Sequence, residues 1–315
     1  MTFLLPRATV SSSSSMSMTF SRQLKKFAPT LLSHRTARNF SVKMATESPT
    51  RSLIHTLNLP SQLDQPVSVV AAPGLSDTQF KNAIESSLFK QWLKNIQTET
   101  GLLANGSMSL TQVLIQGVDM FGKRVGFLKF KADIIDKETG QKVPGIVFAR
   151  GPAVAVLIIL ESEGENYAVL TEQVRVPVGR LVLELPAGML DDDNGDFAGT
   201  AVREVEEETG IHLNAQDMID LTALLDPSTG CRVFPSPGGC DEEISLFLYR
   251  GNVSKEKIRQ LQGKETGLRD HGELIKVHVV LYEKLWRTTA DAKTLTAIAL
   301  YEMAKRDGLL PSSRT

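Results

Sequence analysis

Residues 204–208, "EVEEE", put four glutamates into five positions, with Val205 the only interruption. On a helix Glu204 and Glu208 stand four apart and share a face, and Glu207 lies beside them. Like charges at this spacing repel by roughly 0.2–0.5 kcal/mol per pair. Two readings are open at this point. A solvated acidic helix face needs only water. Carboxylates on adjacent turns also suit a hard divalent cation, which prefers oxygen ligands and removes the repulsion. Arg203, four residues before Glu207, is spaced to pair with it, while Val202 and Val205 can turn toward a core.

The elements around this stretch are readable. Asp196 is a good N-cap and Gly210 a good C-terminal stop, which predicts a helix over 197–209. Upstream, "AVAVLIIL" (153–160) and "NYAVLTEQVRV" read as strands joined by "ESEGE", and "LVLELPAG" as a further strand leading into the acidic stretch. Strands follow at 243–251 and 274–282. A last helix is predicted from near Thr289 to Gly308, with Leu295, Ile298, Ala299 and Met303 on one face. Before residue 151 lies a smaller unit, 66–150. Ser76 and Gln79 fit a capping box, and Phe80, Ile84, Leu88, Trp92 and Ile96 form a helical stripe expected to pack in a core. Strands are predicted at 111–118 and 124–134, with a turn at 137–140. Residues 47–65 read as a linker. The pattern predicts an α+β protein with two mixed β-rich layers and helices outside.

The 315-residue chain has a net charge of −1. Its first 46 residues contain no Asp or Glu, seven Lys or Arg, and a serine-rich run, the signature of an organelle transit peptide. The serine excess points to a plastid, "RNFS" at 38–41 resembles a mitochondrial processing site, and Met44 offers a second start for a cytosolic form. Loss of those seven cations leaves the mature chain near −8, which argues against nonspecific nucleic-acid binding. No apolar run is long enough for a transmembrane helix. Cys231 and Cys240 are the only cysteines, expected as reduced thiols.

"REVEEETGI" fits Arg-Glu-apolar-x-Glu-Glu-x-Gly-apolar at every position, with "PAG" one short loop upstream. This resembles the Nudix box, the signature of the Nudix hydrolase superfamily. The Gly188-to-Arg203 spacing is one residue longer than usual, and Gly195 stands where the box has an upstream glutamate; Asp191, Asp192, Asp193 and Asp196 are nearby. The resemblance implies a Nudix fold, mixed β-sheets sandwiched between helices, over 151–310. It implies hydrolysis of a nucleoside diphosphate linked to another group, using Mg²⁺ with Mn²⁺ as a substitute. Glu204, Glu207, Glu208 and the main-chain carbonyl of Ala187 are the implied metal ligands. Glu207 also counts among the catalytic residues, and Arg203 would orient a box glutamate.

Other segments resemble the ADP-ribose and ADP-sugar diphosphatases of that superfamily. "LTEQVRVP" maps a substrate arginine to Arg175, and "LELPAG" maps a ligand or arginine-orienting carboxylate to Glu184. Pro227 and "SPGG" at 236–239 both resemble downstream features of this subgroup. "HGELIKVHVV" maps the catalytic base to Glu273, with Glu242 as its rival. Arg175 also has the plainer reading of a strand arginine paired with Glu172 or Glu184. His271 and His278 are read as solvent-facing or structural, and Phe121 as packing. The resemblance implies a small-molecule nucleoside diphosphate sugar as substrate, a homodimer built through residues 66–150, and the plastid form of the enzyme. Rival readings are a Nudix enzyme for a dinucleotide coenzyme or capped RNA, and a non-catalytic Nudix-fold binding module.

Overall fold

Two sheets organise the chain. The computed structural model describes residues 53–62, 65–190, 195–268 and 272–311, which fall within one compact unit. The expected transit segment, Met44, Asp191 to Asp193 and His271 lie outside the described residues. Among the described residues no helix is long and apolar enough to cross a membrane.

The first sheet contains β1 (Ile54–Leu57), β2 (Val67–Ala71), β3 (Met108–Phe121), β4 (Arg124–Asp136), β5 (Lys142–Val143) and β6 (Ile146–Ala149). Its order is β1-β2-β3-β4-β5, with β6 also on β4, and only β2 and β3 run parallel. β1 lies inside the stretch expected to be a linker. Helices α1 (Asp77–Glu85) and α2 (Ser87–Asn95) cover one face. The capping box forms: the Gln79 N–H donates to Ser76 Oγ at 3.2 Å, and Ser76 N–H to Gln79 Oε1 at 3.0 Å. The single helix expected through 76–97 breaks at Ser86. That residue turns extended, and its Oγ accepts from the Phe89 N–H at 3.2 Å, so one serine ends α1 and caps α2. Phe89, Trp92 and Phe130 then pack edge-on or stacked within 6 Å, over buried Val67, Val69, Val113 and Leu128. Burying each such side chain contributes about 1.5–3 kcal/mol.

The second sheet contains β7 (Ala153–Ser162), β8 (Glu165–Arg175), β9 (Arg180–Glu184), β10 (Ala187–Met189), β11 (Met218–Asp220), β12 (Ile244–Asn252), β13 (Glu265–Thr266) and β14 (Ile275–Leu281). Its order is β11-β12-β7-β8-β14-β13, with β10 on β7 and β9 on β8. β7 and β12 are parallel and every other pair is antiparallel. Helices α3 (Phe197–Thr209), α4 (Lys255–Leu261), α5 (Tyr282–Thr288) and α6 (Ala292–Arg306) flank it. The uniform apolar run of β7 now has a cause. Val154, Val156, Ile158 and Leu160 pack on Ala201 and Val205 of α3, while Ala153, Ala155, Leu157 and Ile159 face Ala297 and Tyr301 of α6. A strand covered on both faces has no polar side to alternate with.

The last helix departs from expectation. It is capped by Asp291, whose Oδ2 accepts from the Thr294 N–H at 3.1 Å and the Thr294 hydroxyl at 2.6 Å. Thr294 Oγ1 in turn accepts from the Leu185 N–H. That polar tie sets the helix phase, so Thr294, Ala297, Tyr301 and Ala304 are buried, while Leu295 and Met303 are 41% and 46% exposed.

The two sheets are joined through main chain. Phe148 of β6 forms a bridge with Cys240, its N–H donating to Gly239 O at 2.8 Å. The Arg150 and Gly151 N–H groups donate to Asp241 Oδ1 at 2.8 and 3.2 Å. Cys231 and Cys240 are both free thiols.

Candidate active site

The helix that carries the glutamates has the expected bounds. The Gly199 N–H donates to Asp196 Oδ1 at 2.8 Å at its start. At its end Gly210 adopts φ +69°, the left-handed conformation glycine tolerates. Lys264 Nζ donates to Thr209 O at 3.3 Å there, placing a cation at the negative end of the helix dipole.

Folding gives the four glutamates different surroundings. Glu206 is exposed and meets His212 Nδ1 at 3.1 Å. Glu204 and Glu207 are half-buried and share Arg203, at 3.1 and 3.4 Å. Glu208 is buried, at 6% exposure. Its Oε1 accepts from Gln173 Nε2 at 2.6 Å and its Oε2 from the Ala187 N–H at 3.1 Å. Burial is the main influence on the Glu208 carboxyl and pushes its pKa up to about 8. The nearby Glu204 charge raises it further, and the bonds from Ala187 and Gln173 oppose the shift.

Gly188 explains how the "PAG" turn meets the helix. A Cβ on Gly188 would stand 1.9 Å from Glu204 Cδ, so only glycine lets this carboxylate lie against the β10 main chain. The turn and the helix thereby bring Ala187, Glu204 and Glu208 into one place. Among the described residues no three acidic, histidine or cysteine side chains converge as a ready-made cation site. The donors nonetheless fit a hard divalent cation. They are oxygens, and two of them are coupled carboxylates, one desolvated, whose repulsion a cation relieves.

Arg175 ends β8 on the same strand face as Gln173, two residues earlier. Its Nε and Nη2 donate to Glu184 Oε1 and Oε2 at 2.6 and 3.0 Å, a bidentate pair. Glu184 is 4% exposed and is also bonded by Lys293 Nζ, which contacts Asp291 Oδ1 at 3.1 Å. Burial alone would raise the Glu184 carboxyl. The bonds and charges of Arg175 and Lys293 outweigh it and hold the group below the usual carboxylate range. Gln173, Lys293 and Asp291 were not singled out from sequence. Lys293 lies 109 residues from Glu184, and nothing local in either segment couples them.

Glu273 is exposed, just ahead of β14, and its Oε2 accepts from the Leu268 N–H at 3.3 Å. The chain leading to it is tied to the end of α3, with Thr266 Oγ1 donating to Glu208 O at 2.5 Å and the Gly267 N–H to Glu207 O at 3.3 Å. Glu242 is partly buried and engaged by Arg150 Nη1 at 3.3 Å. His278 lies against Glu172 at 3.5 Å. The Phe121 ring lies against Gly126 and meets Phe127 edge-on, and it remains 42% exposed.

The family model for the NUDIX domain matches residues 149–300, and the chain belongs to the Nudix hydrolases. It is 68% identical to "Nudix hydrolase 14, chloroplastic" of Arabidopsis thaliana, over 91% of this chain and 92% of that one. It is 31% identical to the "Methanol dehydrogenase activator" of Bacillus methanolicus, over 60% of this chain and 91% of that one. It is also 31% identical to the "ADP-ribose pyrophosphatase" of Bacillus subtilis (strain 168), over 48% and 72%.

Proposed function

We propose that the chain hydrolyses the diphosphate of ADP-linked sugars, ADP-glucose and ADP-ribose, to AMP and a sugar phosphate, with Mg²⁺ as its metal and Mn²⁺ as a substitute. The observation that carries this reading is the shared face of β8. Gln173 holds the metal-side carboxylate Glu208, and Arg175, two residues on, offers a guanidinium to a phosphate or to the nucleoside end. Glu184 and Lys293 keep Arg175 aimed, so that little side-chain freedom is lost on binding. The name ADP-ribose pyrophosphatase borne by a relative supports the substrate class.

Glu204, Glu207, Glu208 and the Ala187 carbonyl would hold the metal, which supplies charge neutralisation and activation of water. Water adds to one phosphorus, the bridging P–O bond breaks, and the leaving phosphate keeps the bridging oxygen. Glu273 accepts the proton of the attacking water in this reading, from an exposed position in the chain tied to the end of α3. Residues 66–150 serve dimerisation, a role supported by the exposed Ile146 on β6 of the first sheet. Plastid targeting is supported by the acid-free N-terminus and by the relative named chloroplastic.

The test is a mass-spectrometric screen of nucleotide sugars with Mg²⁺ present. ADP-glucose and ADP-ribose should yield AMP well ahead of the UDP- and GDP-linked sugars. A site that hydrogen-bonds one base leaves polar groups unpaired with another. Equal turnover of ADP-glucose and UDP-glucose would overturn the substrate assignment, and no turnover of any would overturn the reaction.

A further inference from the structure

The C-terminal end of α3 is closed by a hairpin. The last four carbonyls of a helix have no partner within it. In α3 the Glu206 carbonyl accepts from the Gly210 N–H at 2.8 Å. The next three accept from one short stretch of sequence. The Gly267 N–H donates to Glu207 O at 3.3 Å, Thr266 Oγ1 to Glu208 O at 2.5 Å and Lys264 Nζ to Thr209 O at 3.3 Å. That stretch contains β13, which pairs antiparallel with the start of β14, Thr266 opposite Ile275 and Glu265 opposite Lys276. The two residues whose side chains are assigned to the metal, Glu207 and Glu208, therefore grip the hairpin through their main chain. The connection between its strands carries Glu273.

The same stretch also touches Glu273. Gly267 has φ +84°, and a Cβ there would stand 2.9 Å from Glu273 O, so glycine lets the returning chain lie against it. One residue on, the Leu268 N–H donates to Glu273 Oε2 at 3.3 Å, and Leu268 O accepts from the Glu273 N–H at 3.2 Å. A short path thus runs from the end of the glutamate helix, through residues 266–268, to the main chain and carboxylate of Glu273. Of the three ties to α3, that of Thr266 is the shortest. It is also made by a part-buried, β-branched side chain that is stiff at χ1, whereas Lys264 reaches its carbonyl on a long exposed stem.

One such bond adds little to global stability, but it fixes a position. Misplacing a reacting group by about 1 Å can lower a rate by about 10²-fold. We propose that Thr266 is a positioning residue for the general base: its hydroxyl fastens the β13–β14 hairpin, and Glu273 with it, to the helix that bears the metal glutamates. The inference rests on the reading of Glu273 as the base.

The test is a set of variants of the full chain, with ADP-ribose as substrate and saturating Mg²⁺. Thr266→Val keeps the shape and strand preference of the side chain and removes the hydroxyl. It should lower kcat about 10- to 100-fold, hold KM within about twofold and shift the melting temperature by less than about 4 °C. Mn²⁺ affinity, read from the electron paramagnetic resonance of the free ion, should stay within about twofold of wild type. Thr266→Ser, which keeps the hydroxyl, should retain most of kcat. In a Glu273→Gln background, Thr266→Val should lower kcat by less than about twofold more, because the group it positions is already lost. Thr266→Ala takes the place of the valine variant if that one misfolds by circular dichroism. Normal kcat in Thr266→Val beside a large loss in Glu273→Gln would overturn the positioning role alone. So would losses that multiply in full in the double variant, or Mn²⁺ affinity that falls in step with kcat. Normal turnover by Glu273→Gln would overturn the base assignment itself, and this proposal with it.

Discussion

Arg175 grips Glu184 with two hydrogen bonds across the β8–β9 hairpin, and Lys293 holds the same carboxylate from α6. Glu184 thus has two cations, and Arg175 can be removed without leaving a buried charge alone. Arg175→Ala should fold normally. It should raise KM for an ADP-sugar about tenfold or more and change kcat less, since a charge-assisted bond to substrate is worth about 1.5–3 kcal/mol. Arg175→Lys should recover little of this, because a lysine cannot form the bidentate pair. Steady-state kinetics with unchanged KM in Arg175→Ala would remove it from the substrate site.

Glu208→Gln should lower kcat by at least about 100-fold at saturating Mg²⁺, the upper range seen when even an indirect partner of a metal is lost. Its fold should survive, because a neutral amide at this buried position removes the desolvation that raises the Glu208 pKa. Near-normal turnover would sink the metal-site assignment.

The same group gives the metal-free protein a pH dependence. The Glu208 pKa is raised from 4.5 to about 8 on folding, so the unfolded chain binds fewer protons between those values. Stability should therefore be greatest toward pH 4.5 and decline as pH rises through about 8 as far as this group is concerned. Melting temperatures of wild type and Glu208→Gln, taken with EDTA from pH 5.5 to 8.5, should diverge toward high pH, with the variant the more stable. Parallel curves would refute the raised pKa.

Glu273→Gln should cost roughly 10²–10⁴ in kcat with little change in KM, as loss of a general base does. Glu242→Gln should cost much less, since Glu242 is already engaged by Arg150. The opposite ranking would move the base to the 231–243 loop.

Much of the site was legible because its determinants are local. Asp196 and Gly210 bound α3 through capping and left-handed chain geometry, which depend on a few neighbouring residues. The differing fates of Glu204, Glu206, Glu207 and Glu208 were not legible. They depend on which side of α3 the sheet covers and on Gln173, whose bond to Glu208 spans 35 residues. Ser86 ended a helix that its apolar stripe alone would have continued, because one hydroxyl served as a cap. The phase of α6 came from Thr294, a polar residue that an apolar pattern passes over.

The bridge between Phe148 and Cys240 bears on any attempt to divide the chain. Strand-like pairing there runs from one sheet into the loop ahead of β12. A catalytic fragment begun after residue 150 would leave the 239–241 main chain with raw N–H and C=O groups and would strip apolar cover from Leu88's side of Gly151. Unpaired edges of this kind recruit other chains. Such a fragment should self-associate, and its lost activity would report a frayed edge as much as a missing subunit contact.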